Sequence, residues 1–312
     1  MKKRILAGLL TTTVALGLFA GCGSSSSKES TETKTETKTE AAETTSQEST
    51  QATTEESQAA AEVTLDDTDK TIKVAASPTP HAEILEAAKE VLAEQGYELE
   101  IVEFEDYVQP NEVVEAGEFD ANYFQHVPYL DSYNEEHGTH LVDAGDIHYE
   151  PFGIYPGTKA SLDEVADGDV IALPNDTTNE ARALLLLQDN GLLTLKEGAG
   201  LTATVNDIEE NPYNLEFEEL EAAQVARVIN EVAYVVLNGN YALEAGYSVA
   251  KDAIAYETND SEAAQTYVNI IAVYEGNENS AKIQALVEAL KSDAIKNFIN
   301  ETYEGSVIPF EE

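Results

Sequence analysis

The amino-acid composition changes near residue 70, and this change limits where the chain can form a hydrophobic core. Residues 23–69 contain four consecutive serines, the repeat TETKTETKTE and runs of Thr, Gln, Ala and Glu, and the next aromatic residue is Tyr97. Such a stretch cannot bury enough apolar surface to offset chain entropy, so we expect a disordered tether. The folded part must follow it, and about 240 residues are enough for two lobes.

The N-terminal 21 residues have the organisation of a secretory signal peptide. Basic residues at positions 2–4 precede an apolar stretch at positions 5–20, and small residues end the segment. The apolar stretch is shorter than the roughly 20 residues that a membrane-spanning helix needs. We therefore expect residues 1–21 to be removed from the mature protein.

Cys22 is the single cysteine of the chain and follows Ala20 and Gly21 directly. This arrangement resembles the lipobox of bacterial lipoproteins. The resemblance implies cleavage before Cys22 and diacylation of its sulfur with fatty acids such as palmitate. We accordingly expect the protein to be lipid-anchored at the cell membrane, on the extracytoplasmic face. The alternative is an ordinary signal peptide with an incidental cysteine.

The charge of the chain excludes some partners. It has 60 acidic and 17 basic residues, and removing the three basic residues of the signal changes the formal charge from -43 to -46. Such a surface repels nucleic acid, because nucleic-acid binding requires cations that neutralise phosphates. It also repels anionic lipid head groups, so acyl chains must provide the attachment to the membrane.

From Lys70 onward, predicted strands alternate with predicted helices. A strand at 72–76, a helix ending at Gly96 and a strand at 99–104 form a βαβ unit. This alternation favours an α/β fold with mixed, mostly parallel sheets covered by helices on both faces. Further strands are predicted at 121–124, 152–155, 170–174, 215–220, 234–237 and 269–274, and further helices at 180–189, 221–229 and 280–303.

Several long segments are similar to one family, the NlpA/MetQ-type methionine-binding lipoproteins. The resemblance covers residues 70–310, although the chain departs from the family's usual residues at Ala226 and at 231–233. The matching segments are DYVQPN (106–111), DANYFQHVPYL (120–130), YEPFGIYPG (149–157), PNDTTNEARALLLLQ (174–188), ELEAAQ (219–224), LNGNYALEAG (237–246) and VIP (307–309).

The resemblance implies a fold and a function. The implied fold is two-lobed and periplasmic-binding-protein-like (type II-like), with lobe 1 at 70–154 and 270–312, lobe 2 at 155–269 and the ligand in the cleft. The implied function is capture of methionine, with the L-isomer expected, for the permease and ATPase subunits of an ABC importer. Alternatives are another amino acid, a methionine-containing dipeptide, a structural surface lipoprotein, or an enzyme on a related fold.

A free amino acid needs a cation for its carboxylate and acceptors for its ammonium. Arg182 is predicted in the first turn of a helix, where a guanidinium fork and the helix N-terminus would bind a carboxylate together. The alternative is pairing with Glu180 or a surface carboxylate. Asn179 is a candidate N-cap and a ligand contact. Asn238 and Asn240 either form a tight turn or, as the resemblance implies, accept from the ammonium.

The resemblance also implies a side-chain pocket lined by Tyr107, Phe124 and His126. Aromatic walls suit a thioether, because sulfur–aromatic contacts contribute roughly 0.3–1.5 kcal/mol. A lone histidine is more often structural, and His126 can also hold its own loop. Tyr123 should point away from Phe124, because side chains alternate along a strand.

The sequence contains no recognisable catalytic or metal-binding motif. Its five histidines lack metal-ligand spacing such as H-E-x-x-H, and the single cysteine is assigned to the anchor. We therefore expect a protein that is not an enzyme and has neither cofactor nor metal.

The anchor prediction can be tested by Cys22→Ser. This substitution removes the sulfur that would be acylated, so the protein should move from the membrane to the soluble fraction on cell fractionation. A variant that remained membrane-bound after high-salt washing would contradict the lipid-anchor hypothesis.

Overall fold

The computed structural model describes residues 63–258 and 266–311. The predicted signal peptide, Cys22 and residues 23–62 of the predicted tether lie outside these residues. Residues 63–69, which the composition assigns to the tether, instead contact the folded part: the Leu65 N–H donates to Asn277 Oδ1, and Asn277 Nδ2 donates to the Val63 carbonyl. Leu65 also packs against the first hydrophobic core, which explains the earlier start of order.

Two mixed sheets form the framework. Parallel pairing occurs among β1, β2 and β3 and among β6, β9 and β10, and the other pairs of the two sheets are antiparallel. The first sheet has the order β13-β4-β12-β3-β1-β2, with β1 (Thr71–Ala76), β2 (Glu98–Glu103), β3 (Ala121–His126), β4 (Leu141–Tyr149), β12 (Val268–Tyr274) and β13 (Ile308–Pro309). The second has the order β11-β5-β10-β6-β9, with β5 (Gly153–Pro156), β6 (Val170–Pro174), β9 (Glu216–Leu220), β10 (Tyr234–Leu237) and β11 (Ala255–Tyr256).

Helices cover the sheets. A small antiparallel pair, β7 (Thr194–Leu195) and β8 (Ile208–Glu210), lies between β6 and β9 in the sequence. The helices are α1 (Glu83–Glu94), α2 (Gln109–Glu115), α3 (Val127–His137), α4 (Thr177–Asp189), α5 (Ala222–Val225), α6 (Gly239–Glu244), α7 (Val249–Asp252), α8 (Ala281–Leu290) and α9 (Asp293–Tyr303).

The central strands of each sheet are buried on both faces, as the alternation of strands and helices predicts. Along β1, Val74 packs into the core formed with α1, α8 and α9, while Ala75 packs into the core on the opposite face. In the second sheet, Ile171 faces the core that includes α4, and Ala172 faces the one that includes α5. This alternation fixes the register, because a shift by one residue would exchange the two faces.

The chain passes between the sheets at two places. It leaves the first sheet after β4 and enters the second at β5, and it returns between β11 and β12. Gly153 and Ile154 pair with β10, so they belong to the second sheet, whereas the predicted boundary places them in lobe 1. Val268 and Asn269 pair in the first sheet, although the prediction places them in lobe 2.

The helix predicted at 280–303 is wrong in one respect: it is two helices, α8 and α9. Lys291 ends the first, and the Ser292 hydroxyl accepts a hydrogen bond from the Ile295 N–H to begin the second. The predicted helix at 221–229 is the short α5 followed by a 3₁₀ turn. Within the described residues, every helix is too short or too polar to span a lipid bilayer.

Candidate functional site

A polar cavity lies where strands of both sheets end. It follows β3 of the first sheet and β6 and β10 of the second, the kind of position in which α/β proteins place ligands. It holds about 320 Å³ of empty space, including the part open to solvent. Its lining residues are Tyr107, Phe124, Gln125, His126, Tyr129, Glu150, Asn179, Arg182, Asn238, Gly239, Asn240 and Asn269. All seven ligand-binding residues predicted from the sequence are among them.

One wall of the cavity is aromatic. The ring centroid of Tyr107 lies 5.6 Å from those of Phe124 and Tyr129 and 4.9 Å from that of Tyr241. Phe124 is 3% exposed, so this wall is shielded from solvent. Tyr123 points to the opposite face of β3 and joins the first core, as strand alternation predicts.

Helix α4 begins earlier than the sequence suggests, which corrects the predicted role of Asn179. Asp176 is the N-cap, and its carboxylate accepts from both the backbone N–H and the side-chain amide of Asn179. Asp and Asn are both favoured N-caps, so residue type could not decide between them. Because Asp176 caps the helix and holds Asn179 Nδ2, the Oδ1 atom of Asn179 is left to connect the two lobes.

Asn179 connects the lobes through its Oδ1 atom. This atom accepts from Asn238 Nδ2 at 2.8 Å and from His126 Nε2 at 3.1 Å. The Nδ1 atom of His126 accepts from the Tyr129 backbone N–H, which assigns the ring proton to Nε2. Burial, with a smaller effect from Arg182, lowers the pKa of His126 to about 3, so the ring is neutral. His126 therefore both holds its own loop and lines the cavity.

The same hydrogen bonds orient two asparagine side chains beyond β10. Asn238 Nδ2 donates to Asn179 Oδ1, and Asn240 Oδ1 accepts from the Tyr107 hydroxyl at 2.6 Å. Within the part of the chain that the structure describes, Asn238 Oδ1 and Asn240 Nδ2 are buried without a hydrogen-bond partner. Buried polar atoms are normally satisfied, so this acceptor and this donor are groups to which a ligand would bind.

Arg182 is held rigidly in the second turn of α4, not in the first turn as predicted. Its Nε donates to Glu257 Oε1 at 2.8 Å and its Nη2 donates to Glu257 Oε2 at 2.6 Å. Nη2 also donates to the Glu150 carbonyl at 3.0 Å. These bonds use the Nε hydrogen and both Nη2 hydrogens, so a ligand carboxylate would have to use those on Nη1.

Arg182 pairs with a protein carboxylate, as the alternative considered from the sequence proposed, but not with Glu180. Glu180 accepts from the Val205 N–H instead, and Glu257 is the counter-ion. Burial alone would lower the pKa of Arg182, but the neighbouring Glu257 carboxylate raises it. The guanidinium carbon also lies 4.1 Å from the ring centroid of Tyr267 and 4.8 Å from that of Phe152, so its position is fixed on several sides.

A second group of titratable residues lies behind the cavity: His81, His148 and Glu150. Their nitrogen and carboxylate atoms lie within 4.8 Å of one another, the kind of cluster that could hold a metal ion, although the linear spacing of the histidines did not suggest it. Two of them are hydrogen-bonded to each other: His148 Nε2 donates to Glu150 Oε1 at 2.7 Å, and the Tyr123 hydroxyl donates to His148 Nδ1. His81 Nε2 bonds Asn269 Oδ1 at 2.9 Å.

The sequence predictions did not include several lining residues. Gln125, Tyr129 and Glu150 lie inside segments that resemble the family, but residue type alone gives them no ligand role. Glu150 could not be predicted for a further reason: composition cannot distinguish one carboxylate among 60 acidic residues. Asn269 gave no signal beyond its place at a predicted strand end.

Comparisons with known proteins agree with this fold. The sequence pattern of the NlpA lipoprotein family matches residues 72–311. The methionine-binding lipoprotein MetQ of Bacillus subtilis (strain 168) is 38% identical over 316 aligned residues, and the alignment covers 100% of this chain and 100% of its own. The chain belongs to the NlpA lipoprotein family. Its two-lobed architecture is therefore that of a periplasmic-binding-protein-like α/β fold, as predicted.

Solved structures related to the family have the same architecture. A lipoprotein from Ruminococcus gnavus is 80% identical, covers 78% of this chain and 100% of its own, and superposes with a TM-score of 0.77. A nutrient binding protein from Burkholderia cenocepacia, solved bound to methionine, is 41% identical, covers 77% of this chain and 100% of its own, and has a TM-score of 0.74.

The buried ion pair predicts a large effect of Glu257→Ala on stability. Removing this carboxylate leaves the Arg182 guanidinium buried without a counter-ion, which should lower the free energy of unfolding by about 3–5 kcal/mol. Urea unfolding of the soluble Cys22→Ser protein measures this loss. The control is Glu304→Ala, which breaks the exposed pair with Lys251 and should change stability far less, because solvent screens exposed charges. Equal effects of the two substitutions would contradict the assigned role of Glu257.

Proposed function

We propose that this protein is a lipid-anchored, extracytoplasmic solute-binding protein that captures methionine for the permease and ATPase of an ABC importer. The observation that carries the proposal is the pair of unpartnered amide atoms, Asn238 Oδ1 and Asn240 Nδ2, beside the fixed guanidinium of Arg182. One acceptor, one neutral donor and one cation in a single cavity match the ammonium and carboxylate of a free amino acid. The names of the Bacillus and Burkholderia relatives support methionine as that amino acid.

Each polar group has a separate role in the proposed complex. The ligand carboxylate accepts from Arg182 Nη1 and from Asn240 Nδ2, and the ligand ammonium donates to Asn238 Oδ1. Asn240 thus acts as a donor, whereas the sequence suggested an acceptor, because its Oδ1 is occupied by the Tyr107 hydroxyl. Asn179 and His126 act indirectly, since their bonds set the orientation of the Asn238 amide.

The aromatic wall suits the methionine side chain. Tyr107, Phe124 and Tyr129 present ring edges and faces at which a thioether sulfur gains roughly 0.3–1.5 kcal/mol per contact. The side chain would enter between β3 and the loop that precedes α2, while its charged end remains at α4 and α6.

Attachment to the membrane is proposed to occur through Cys22. The family is a family of lipoproteins, and the lipobox resemblance supplies the residue that would be acylated. The stretch between Cys22 and the first described residues would then place the binding domain away from the lipid surface.

Isothermal titration calorimetry of the soluble Cys22→Ser protein tests the ligand. We expect L-methionine to bind, and Arg182→Lys to weaken it at least about tenfold, because one ammonium cannot pair with Glu257 and also supply the separate donors that Nη1 offers the ligand. Asn238→Ala should cause a similar loss, since it removes an acceptor for a charged donor. D-methionine, a glycyl-methionine dipeptide and the other common amino acids complete the series.

The controls are the same substitutions at exposed positions. Arg227→Lys and Asn279→Ala should leave affinity unchanged, since both side chains are exposed and outside the cavity. Binding of another amino acid in place of methionine would retain the class of protein and refute the ligand. Unchanged methionine affinity in a folded Arg182→Lys protein would refute the assigned carboxylate site.

A further inference from the structure

The charges around the cavity are not balanced. Arg182 is the one lysine or arginine among the described residues that line it, and Glu257 already engages this cation through two hydrogen bonds. Glu150 contributes another carboxylate, and its side chain is only 6% exposed. A buried carboxylate without a cation is costly, so its surroundings need explanation.

The two histidines beside Glu150 do not supply the missing charge. Burial lowers the pKa of His81 to about 4 and that of His148 to about 3, so both rings are neutral near pH 7. His148 acts instead as a hydrogen-bond donor: the Glu150 carboxylate can only accept, so the ring proton lies on Nε2 and Nδ1 accepts from the Tyr123 hydroxyl. Burial raises the pKa of Glu150, which agrees with a carboxylate that lacks a full counter-ion.

Glu150 is fixed against the loop that carries the two ligand-binding asparagines. The backbone N–H of Asn240 lies near its carboxylate and favours the charged form, which partly offsets the rise in the pKa of Glu150 caused by burial. On the other side is Gly239, where a Cβ atom would lie 2.6 Å from Glu150 Oε2 and 2.7 Å from Glu150 Cβ. Only glycine permits this close approach. Asn238, whose Oδ1 lacks a partner, is the residue before Gly239, and it lines the same cavity as Glu150.

A protonated amine would satisfy both groups at once. It would donate to Asn238 Oδ1 and supply the positive charge that Glu150 lacks, whereas a hydroxyl or keto group would supply no charge. We propose that Glu150 is the specificity residue through which this site requires a protonated α-amino group, so that it selects free amino acids over the corresponding hydroxy acids. This inference rests on the proposed function, because it assigns the ammonium end of the same ligand.

Calorimetry with two ligands tests this inference. The probes are L-methionine and 2-hydroxy-4-(methylthio)butanoate, which has the same side chain and carboxylate but a hydroxyl in place of the amine. In the Cys22→Ser protein at pH 7.5, methionine should bind at least about 100-fold more tightly. In Glu150→Gln, methionine should weaken by about 10- to 100-fold while the hydroxy acid changes by less than about threefold, so the ratio collapses.

The matched control is Glu180→Gln. This residue is also about 5% exposed, but its Oε1 accepts from the Val205 N–H and it does not line the cavity. The Glu180→Gln substitution removes the same charge from the protein as Glu150→Gln does. It therefore controls for repulsion between the acidic surface and the anionic hydroxy acid. The affinity ratio should stay at the value of the unsubstituted protein. Glu150→Asp, which retains the charge, should restore part of the preference for methionine.

The outcomes separate this inference from the proposed function. Equal affinity of the unsubstituted protein for the two probes overturns the inference while methionine binding stands, and this arm requires no folded variant. Equal weakening of both probes by Glu150→Gln also overturns it, because the residue would then support the structure without reading the amine. Failure of the unsubstituted protein to bind methionine overturns the proposed function and this inference with it.

Discussion

The ion pair between Arg182 and Glu257 is the interaction on which the candidate site depends. It joins α4 of the second lobe to the segment that follows β11 and leads back to the first sheet. Tyr149 adds a hydroxyl bond to the same carboxylate at 2.6 Å, and the rings of Tyr267 and Phe152 enclose the guanidinium. Because its partner neutralises it, Arg182 can remain buried and oriented before a ligand carboxylate arrives. Such preorganisation reduces the entropy lost on binding.

The remaining polar groups are arranged by a chain of hydrogen bonds that begins at a helix cap. Asp176 orients Asn179, and Asn179 Oδ1 in turn accepts hydrogen bonds from Asn238 Nδ2 and from His126 Nε2. Each hydrogen bond fixes the orientation of the next side-chain amide. Because Asn238 Nδ2 donates to Asn179, the atom of Asn238 left without a partner is the acceptor Oδ1. The cap residue of α4 thus determines the chemistry of a loop beyond β10 in the same lobe, and His126 extends the connection to the first lobe.

Much of this arrangement could be predicted from the sequence, and the exceptions have physical causes. The βαβ unit and the strand ends at β6 and β10 follow from local patterns, and the family resemblance identified seven lining residues. Strand β4 was missed because its sequence, LVDAGDIHY, interrupts the apolar pattern with Asp and Gly. Glu257 could not be found, since it lies 75 residues from Arg182 in an acidic chain and only the fold brings them together. The orientation of Asn240 likewise depended on a tyrosine 133 residues away.

The central claim is that the cavity binds methionine in one orientation, with its carboxylate and its ammonium at separate groups. A crystal structure of the protein with bound L-methionine tests this claim most directly. We expect the carboxylate within hydrogen-bond distance of Arg182 Nη1 and Asn240 Nδ2, the ammonium at Asn238 Oδ1 and the Glu150 carboxylate, and the thioether against Tyr107 and Phe124. A ligand bound in the reverse orientation, or a carboxylate that does not contact Arg182, would contradict the account.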